Sequence, residues 1–144
     1  MKIRKFKYHD LNQVLEIEKD AYGEDHWSRD IFYTELDKKN SYNIVAVKDK
    51  TIAGFLISSY LFDEAELLSV AVAKNHRRKG IARKLMENFI HNSKLNGIEK
   101  IFLEVKTQNF KAKLLYTSFG FEKISVRKKY YSDGSDADIM LLKL

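Results

Sequence analysis

An apolar segment that leads straight into a basic, glycine-containing turn limits the folds open to this chain more than any other feature. Residues 67–72 read LLSVAV and predict a buried strand, and residues 77–82 read RRKGIA. A helix is predicted to begin at Gly80, where the first backbone N–H groups have no partner within the helix. These groups and the positive end of the helix dipole attract an anion. The segment therefore predicts a phosphate site built mainly from backbone.

The side chains around this turn favour a pyrophosphate. Gly80 has no Cβ, so a phosphate can approach the backbone closely. Cationic donors are supplied by Arg77, Arg78, Lys79 and Arg83. The pattern differs from the Walker loop and from the G-x-G-x-x-G of dinucleotide-binding folds. An ordinary strand-to-helix turn with a solvated basic first turn is the alternative interpretation.

Length and composition exclude several classes of protein. The 144 residues predict one domain, residues 1–144. No apolar run approaches the ~20 residues of a membrane span, and the opening MKIRKF is too polar for a signal peptide, so we expect a cytoplasmic protein with no membrane partner. The lack of cysteine excludes disulfides, a zinc-thiolate site and a cysteine acyl-enzyme. The histidines at positions 9, 26, 76 and 91 lack ligand spacing, so no metal is predicted.

Hydrophobic periodicity and turn residues predict the order β-α-α-β-β-β-α-β-α-β-β. Strands are predicted over residues 2–6, 42–47, 51–60, 64–72, 98–105, 121–131 and 137–142, and helices over residues 10–22, 29–39, 80–96 and 109–119. The strand-helix-strand unit within residues 64–105 implies a parallel pair with a right-handed crossover. The other connections are antiparallel, so the predicted fold class is α/β with a mixed, mostly antiparallel sheet.

Glu104 near the end of the fifth predicted strand, and one face of the helix that follows, are candidates for catalytic or ligand-binding roles. Glu104 lies among Ile101, Leu103 and Val105, where a carboxylate requires a partner, a water-filled cleft or a raised pKa. In the following helix, Asn109, Ala112 and Tyr116 are spaced at i, i+3 and i+7 and share one face, which suits a polar ligand lying along the helix. The alternatives are simple strand alternation for Glu104, with its side chain in solvent beside Phe102, and a half-buried core aromatic for Tyr116.

Several of these motifs resemble those of the GNAT acetyltransferases. Residues 77–82 resemble the R/Q-x-x-G-x-G/A segment that cradles the pyrophosphate of acetyl-CoA in that family. LEV at 103–105, Asn109 and LYTSFGF at 115–121 resemble the LEV…N…LYxxxGF series of the RimI branch, the ribosomal-protein-alanine N-acetyltransferases. Further parts of that branch are similar to WS at 27–28, RKKYY at 127–131 and DADIM at 136–140. Arg77 and Ala82 stand where many relatives have glutamine and glycine.

The resemblance implies a GNAT fold with helices on both faces of a seven-stranded sheet, whose fourth and fifth strands splay apart to admit the pantetheine arm. It implies direct transfer from acetyl-CoA to a protein N-terminal α-amine, such as the N-terminal alanine of a small-subunit ribosomal protein. Glu104 is then the expected base, Tyr116 the expected donor to the leaving thiolate, and Tyr130 and Tyr131 the expected lining of the acceptor groove. The expected cofactor-binding residues are Val70, Ala71, Val72, Arg77, Arg78, Lys79, Gly80, Ile81, Ala82, Arg83 and Asn109.

Two other functions stay open at this point. A GNAT enzyme could acetylate a lysine side chain, a polyamine or a small amine instead, although a lysine with pKa near 10.4 needs a stronger base than an α-amine with pKa about 7.7–8.0. A net charge of +6 also permits a non-catalytic ribosome- or RNA-binding module. Such a module would interleave aromatic and basic residues on one surface. Only Tyr130 and Tyr131, beside residues 127–129, do so, and we expect no specific nucleic-acid partner.

Overall fold

The computed structural model describes all residues 1–144 and has one mixed sheet with helices on both faces. The strands are β1 (Lys2–Lys5), β2 (Ser41–Lys48), β3 (Thr51–Leu61), β4 (Glu64–Val72), β5 (Lys100–Lys106), β6 (Glu122–Arg127) and β7 (Ala137–Lys143). The helices are α1 (Leu11–Tyr22), α2 (Arg29–Leu36), α3 (Ile81–Leu95) and α4 (Phe110–Ser118). The predicted order and fold class are confirmed. No helix is long and apolar enough to cross a membrane.

The sixth strand is shorter than predicted. We expected it to run to residue 131, but β6 ends at Arg127, and Tyr130 and Tyr131 lie in the turn that follows. Lys129 adopts a left-handed φ of 52°, which breaks the extended backbone. Its N–H group donates to Asp136 Oδ1 at 2.9 Å, so the turn rather than the sheet satisfies this backbone group.

The strand order is β1-β2-β3-β4-β5-β7-β6. Only β4 and β5 pair in parallel, with α3 as the crossover between them, and every other pair is antiparallel. Apolar side chains of α1 and α2 pack on one face of the sheet and those of α3 and α4 on the other, giving two cores. Burial of these side chains, worth about 1.5–3 kcal/mol each, is the main force that holds the layers together.

A bulge in β4 separates the fourth and fifth strands. Leu67 pairs with Ser58 and Ser69 pairs with Ile57, so Leu68 is an extra residue in the ladder. Such a bulge bends its strand and increases the local twist. The parallel register joins Glu64–Leu67 only to residues 100–103, and the later residues of the two strands do not pair. The splay implied by the resemblance is therefore present, and it leaves one edge of residues 68–72 open.

Gly54 on β3 allows α3 to begin close to this open edge. A Cβ at Gly54 would lie 3.0 Å from the Ala71 carbonyl oxygen and 3.3 Å from side-chain carbons of both Ile81 and Leu85. Any larger residue would therefore push the first turns of α3 away from the sheet. The glycine fixes the N-terminus of α3 beside the end of β4.

On the other side of the gap, a buried carboxylate holds α4 in place. Asp138 on β7 is fully buried, lies 2.7 Å from Lys113 Nζ and accepts the Thr107 hydroxyl at 2.6 Å. Burial alone would raise the pKa of Asp138, but these hydrogen bonds and the charge of Lys113 hold it below its usual value. Asp138 thus fastens both the β5–α4 loop and α4 to the sheet.

We predict that Asp138→Asn lowers the free energy of unfolding by about 2 kcal/mol at neutral pH, because Lys113 and Thr107 lose a charged partner. A lowered folded-state pKa stabilises the fold above the unfolded value near 3.9, and this contribution disappears as the pH falls through the folded value. Denaturant unfolding at a series of pH values should show the difference from wild type shrinking below about pH 4. A difference that persists unchanged in strong acid would contradict this.

Candidate active site

The splayed ends of β4 and β5 form one wall each of a cleft of about 640 Å³. The end of α1, the first turn of α3 and one face of α4 complete it. The predicted site residues that line the cleft are Val70, Ala71, Val72, Arg77, Arg78, Gly80, Ile81, Ala82, Arg83, Glu104, Asn109, Tyr116 and Tyr131. Lys79 and Tyr130 do not line it. Residues predicted from three separate sequence motifs therefore meet in one place.

The N-terminus of α3 opens into this cleft. Gly80 is its N-cap residue, with a left-handed φ of 76° and ψ of 14°, and no side chain caps the helix. A Cβ at Gly80 would meet no protein atom within 4 Å, so the space in front of the first N–H groups is open. Unpaired N–H groups that point into a cleft form an anion site.

The basic side chains of this turn fall into two groups. Arg77 donates from Nε to the Val72 carbonyl at 3.2 Å and from Nη2 to Asp20 at 2.7 Å, so it ties α1 to the end of β4. Arg83 donates to Ser118 Oγ at 2.9 Å and ties α3 to α4. Arg78 and Lys79 make no ion pair within the protein. The sequence predicted four equivalent cations, whereas two of them already hold neighbouring elements.

Glu104 follows the alternation of β5 and still faces the cleft. Ile101, Leu103 and Val105 point into the core, and Glu104 lies on the opposite face. That face borders the gap left by β4, so the side chain is only 22 % exposed and has Arg127 Nη1 3.3 Å from its Oε1. Strand alternation therefore explains which way the Glu104 side chain points. Because β4 and β5 diverge here, that side of the strand borders the cleft.

Tyr116 belongs to both the core and the cleft. Its residue is 7 % exposed, and its ring packs edge-on to Phe121 with centroids 5.9 Å apart. The hydroxyl has no hydrogen-bond partner within the protein. Burial raises the pKa of Tyr116, so the phenol stays protonated at neutral pH and can donate. Asn109 and Ala112 share its face as predicted, and Asn109 Oδ1 caps α4 by accepting the Ala112 N–H at 3.2 Å.

Tyr130 and Tyr131, both expected to line the acceptor groove, lie in different environments. Tyr131 lines the cleft, and its pKa is raised by burial and by the negative charge of Glu104. Tyr130 is about half exposed, packs its ring 5.0 Å from that of Tyr131, and lies under the Arg127 guanidinium. The structure therefore places Tyr131 on the cleft wall and Tyr130 outside it.

Sequence reasoning missed several residues of the α1 side of the cleft. The Tyr22 hydroxyl donates to the Val70 carbonyl at 2.7 Å, which anchors the end of α1 to β4. Asp25 accepts the backbone N–H and the hydroxyl of Ser132 at 3.2 and 3.1 Å, which joins the α1–α2 loop to the β6–β7 loop. No local sequence pattern pairs residue 22 with residue 70 or residue 25 with residue 132.

Comparisons with known proteins agree with this geometry. The model of the acetyltransferase (GNAT) family matches residues 11–121. The [ribosomal protein bS18]-alanine N-acetyltransferase of Escherichia coli K12 is 33% identical over 138 residues, covering 94% of this chain and 92% of the relative. An N-alpha-acetyltransferase of Saccharolobus solfataricus is 29% identical over 154 residues, with 96% and 90% covered. The crystal structure of the Escherichia coli ribosomal-protein-S18-alanine N-acetyltransferase superimposes with a TM-score of 0.91 at 31% identity, covering 99% and 92%.

A splayed mixed sheet with a helix N-terminus at the mouth of the gap defines an acyltransferase that takes its acyl group from a coenzyme A thioester. The chain belongs to the GNAT acetyltransferase family, and it is an acetyl-CoA-dependent N-acetyltransferase. The resemblance to the RimI branch, drawn from its motifs, is confirmed over nearly the whole length of the chain. No group of three or more His, Cys, Asp or Glu side chains is arranged to hold a metal ion.

Proposed function

We propose that this enzyme transfers acetyl directly from acetyl-CoA to the α-amine of a protein N-terminus, and specifically to the N-terminal alanine of a small-subunit ribosomal protein. The observation that carries the proposal is the presence of Glu104 and Tyr116 in one cleft that borders the open edge of β4. The names of two relatives, a ribosomal-protein-alanine N-acetyltransferase and an N-alpha-acetyltransferase, support the choice of acceptor.

In this proposal acetyl-CoA lies along the gap. The first N–H groups of α3, together with Arg78, bind the pyrophosphate, because they are the groups of the turn that line the cleft and lack protein partners. The open edge of residues 70–72 offers backbone groups to the pantetheine amides, although the Val70 and Val72 carbonyls already accept one hydrogen bond each, from Tyr22 and Arg77. Asn109 and Ala112 form the opposite wall, and the small Ala112 leaves room for the arm.

The reaction then needs one base and one donor. An α-ammonium with pKa about 7.7–8.0 requires only a mild base, and Glu104 accepts its proton directly or through a water. The free amine attacks the thioester carbonyl, and a backbone N–H of residues 70–72 binds the oxyanion. The C–S bond breaks, the sulfur takes a proton from the Tyr116 hydroxyl, and the nitrogen gives its second proton to water as the N-acetyl product forms. Tyr116 regains its proton from solvent after the products leave.

The acceptor enters from the side of the cleft opposite α3. Tyr131 and the joined loops at Asp25 and Ser132 border this side. Glu104 and Asp25 are the carboxylates on this side, where Lys106 also lines the cleft and Arg127 pairs with Glu104.

The cofactor site can be tested with two glycines that flank the same helix. Gly80 and Gly97 precede and follow α3, have φ values of 76° and 74°, and have no protein atom near a hypothetical Cβ. Substitution by valine should cost each variant about 1–3 kcal/mol of backbone strain. We predict that acetyl-CoA raises the melting temperature of wild type and Gly97→Val but not of Gly80→Val, because only Gly80 borders the anion site.

Thermal denaturation with and without millimolar acetyl-CoA provides this measurement. An equal ligand-induced shift in the two variants would show that the N-terminus of α3 does not bind the pyrophosphate. The absence of a shift in wild type would contradict the whole placement of the cofactor.

The acceptor can be tested with a matched pair of peptides. One begins with a free alanine and contains no lysine, and the other has the same sequence with a blocked N-terminus and one internal lysine. Because an α-amine is partly neutral at physiological pH and a lysine almost entirely charged, we expect the first to react at least about tenfold faster. Initial rates with labelled acetyl-CoA decide the matter, and a faster blocked peptide would favour a lysine acetyltransferase.

A further inference from the structure

Glu18, in the second half of α1, is a buried charge that the reaction outlined above does not use. Its residue is 1 % exposed, among the least exposed side chains in the protein. Burial raises the pKa of Glu18, and hydrogen bonds from Ser69 and Trp27 oppose that rise. A carboxylate in such a place costs stability unless its oxygens are hydrogen-bonded. Both oxygens are, and neither partner is a cation.

The two partners of Glu18 belong to two different segments, β4 and the α1–α2 loop, whose neighbouring residues Val70 and Asp25 line the cleft. Oε1 accepts the hydroxyl of Ser69 at 2.8 Å, and Oε2 accepts the backbone N–H of Trp27 at 3.1 Å. Ser69 directly follows the bulge in β4 and precedes Val70, where the open edge lines the cleft. Trp27 closes the α1–α2 loop, and Ser28 after it caps α2. A single carboxylate therefore joins the cofactor strand to the acceptor-side loop.

Neighbouring contacts extend this connection on both sides. One turn further along α1, the Tyr22 hydroxyl donates to the Val70 carbonyl, so α1 holds two successive residues of β4. The Trp27 ring packs edge-on to the buried Phe32 with centroids 5.1 Å apart. Two residues before Trp27, Asp25 binds Ser132 across the acceptor side. Release of Trp27 would loosen the whole border along which the acceptor enters.

We propose that Glu18 is a positioning residue for the acceptor, which it serves by holding the α1–α2 loop at a fixed distance from β4. The inference rests on the proposed function in that it takes this loop to be the acceptor side of the cleft. Glu18 acts through two acceptor oxygens rather than through its charge. Glutamine can keep both contacts, because its carbonyl accepts the Trp27 N–H while its amide donates to Ser69 Oγ. Methionine has a similar volume and neither contact.

The chain offers a matched control in Asp10, the other buried carboxylate next to α1. It is 2 % exposed, and it accepts two bonds of 2.8 Å from Arg4 and one of 2.8 Å from the Lys7 N–H. These contacts lie at the opposite end of α1 from the cleft, and Asp10 does not line it. Asp10→Asn should therefore lower stability without altering the acceptor site.

Steady-state kinetics with a reactive acceptor peptide separate these roles. We expect Glu18→Met to raise the acceptor KM about tenfold, since an unpaired N–H releases the loop. The Kd for acetyl-CoA should stay close to the wild-type value, and Glu18→Gln should restore the acceptor KM. Asp10→Asn should leave it unchanged. A wild-type KM in Glu18→Met, or an equal rise in Asp10→Asn, would overturn the proposal.

Ser69→Ala provides a second route if Glu18→Met does not fold. This substitution removes the hydrogen bond between Glu18 and β4 and keeps the one between Glu18 and Trp27. The acceptor KM should therefore rise in Ser69→Ala as well. A wild-type acceptor KM in this variant would equally overturn the proposal. Trp27, the chain's single tryptophan, reports on the loop without any acceptor. Acrylamide should quench its fluorescence more strongly in Glu18→Met than in wild type, Glu18→Gln or Asp10→Asn. Equal quenching in all four contradicts the role of Glu18, whereas failure of every peptide to react contradicts only the proposed acceptor.

Discussion

The extra residue in β4 is the constraint on which the rest of the molecule depends. Because Leu68 is inserted into the ladder with β3, the parallel pairing of β4 and β5 ends at Leu67 and Leu103. Beyond that point a strand edge that would otherwise be satisfied by β5 is left open inside the protein. Backbone groups in such a position need other partners: Tyr22 and Arg77 donate to the Val70 and Val72 carbonyls, and the remaining groups are available to a ligand or water. The same feature therefore creates the space of the cleft and the polar groups that line it.

On each side of the cleft a buried carboxylate fastens a helix to the sheet, and the two carboxylates differ in the charge of their partners. On one side Glu18 fastens α1 and its loop to β4 through two neutral donors. On the other side Asp138 fastens α4 to β7 through Lys113 and Thr107. Neither group lines the cleft. Each costs desolvation energy and in return fixes the orientation of a helix that presents a tyrosine to the site, Tyr22 from α1 and Tyr116 from α4.

Much of the fold and of the candidate site could be predicted from local sequence patterns. Period-2 and period-3.6 hydrophobicity predicted the order of the elements. The helices predicted from residues 29 and 109 begin within one residue of those positions, because Ser28 and Asn109 cap them and capping is decided within four residues. Glu104 and the Asn109-to-Tyr116 face were found for the same reason. The errors lie where long-range contacts decide the structure. Tyr130 was placed in a strand because its turn depends on Asp136.

Contacts between residues far apart in the sequence leave no local sequence pattern from which they could be predicted. Arg77 was expected to be available to a phosphate, but Asp20, 57 residues earlier, binds its guanidinium. Asp25 and Ser132 are 107 residues apart. Glu18 is 51 residues from Ser69, and no local sequence pattern indicates that the two side chains are in contact. Only the folded chain identifies these partners.

The central claim is that the splay brings a base, Glu104, and a donor, Tyr116, to a bound thioester. It is tested most directly by single-turnover acetyl transfer in Glu104→Gln and Tyr116→Phe, with Glu66→Gln as the control. Glu66 is a carboxylate on β4 whose pKa is raised by burial and by the nearby charge of Glu104, but it lies outside the cleft. Loss of base catalysis should slow Glu104→Gln by about 10²–10⁴-fold, Tyr116→Phe should also be slowed, and both should bind acetyl-CoA normally. Wild-type rates in Glu104→Gln between about pH 6 and about pH 9, or an equal loss in Glu66→Gln, would contradict the claim.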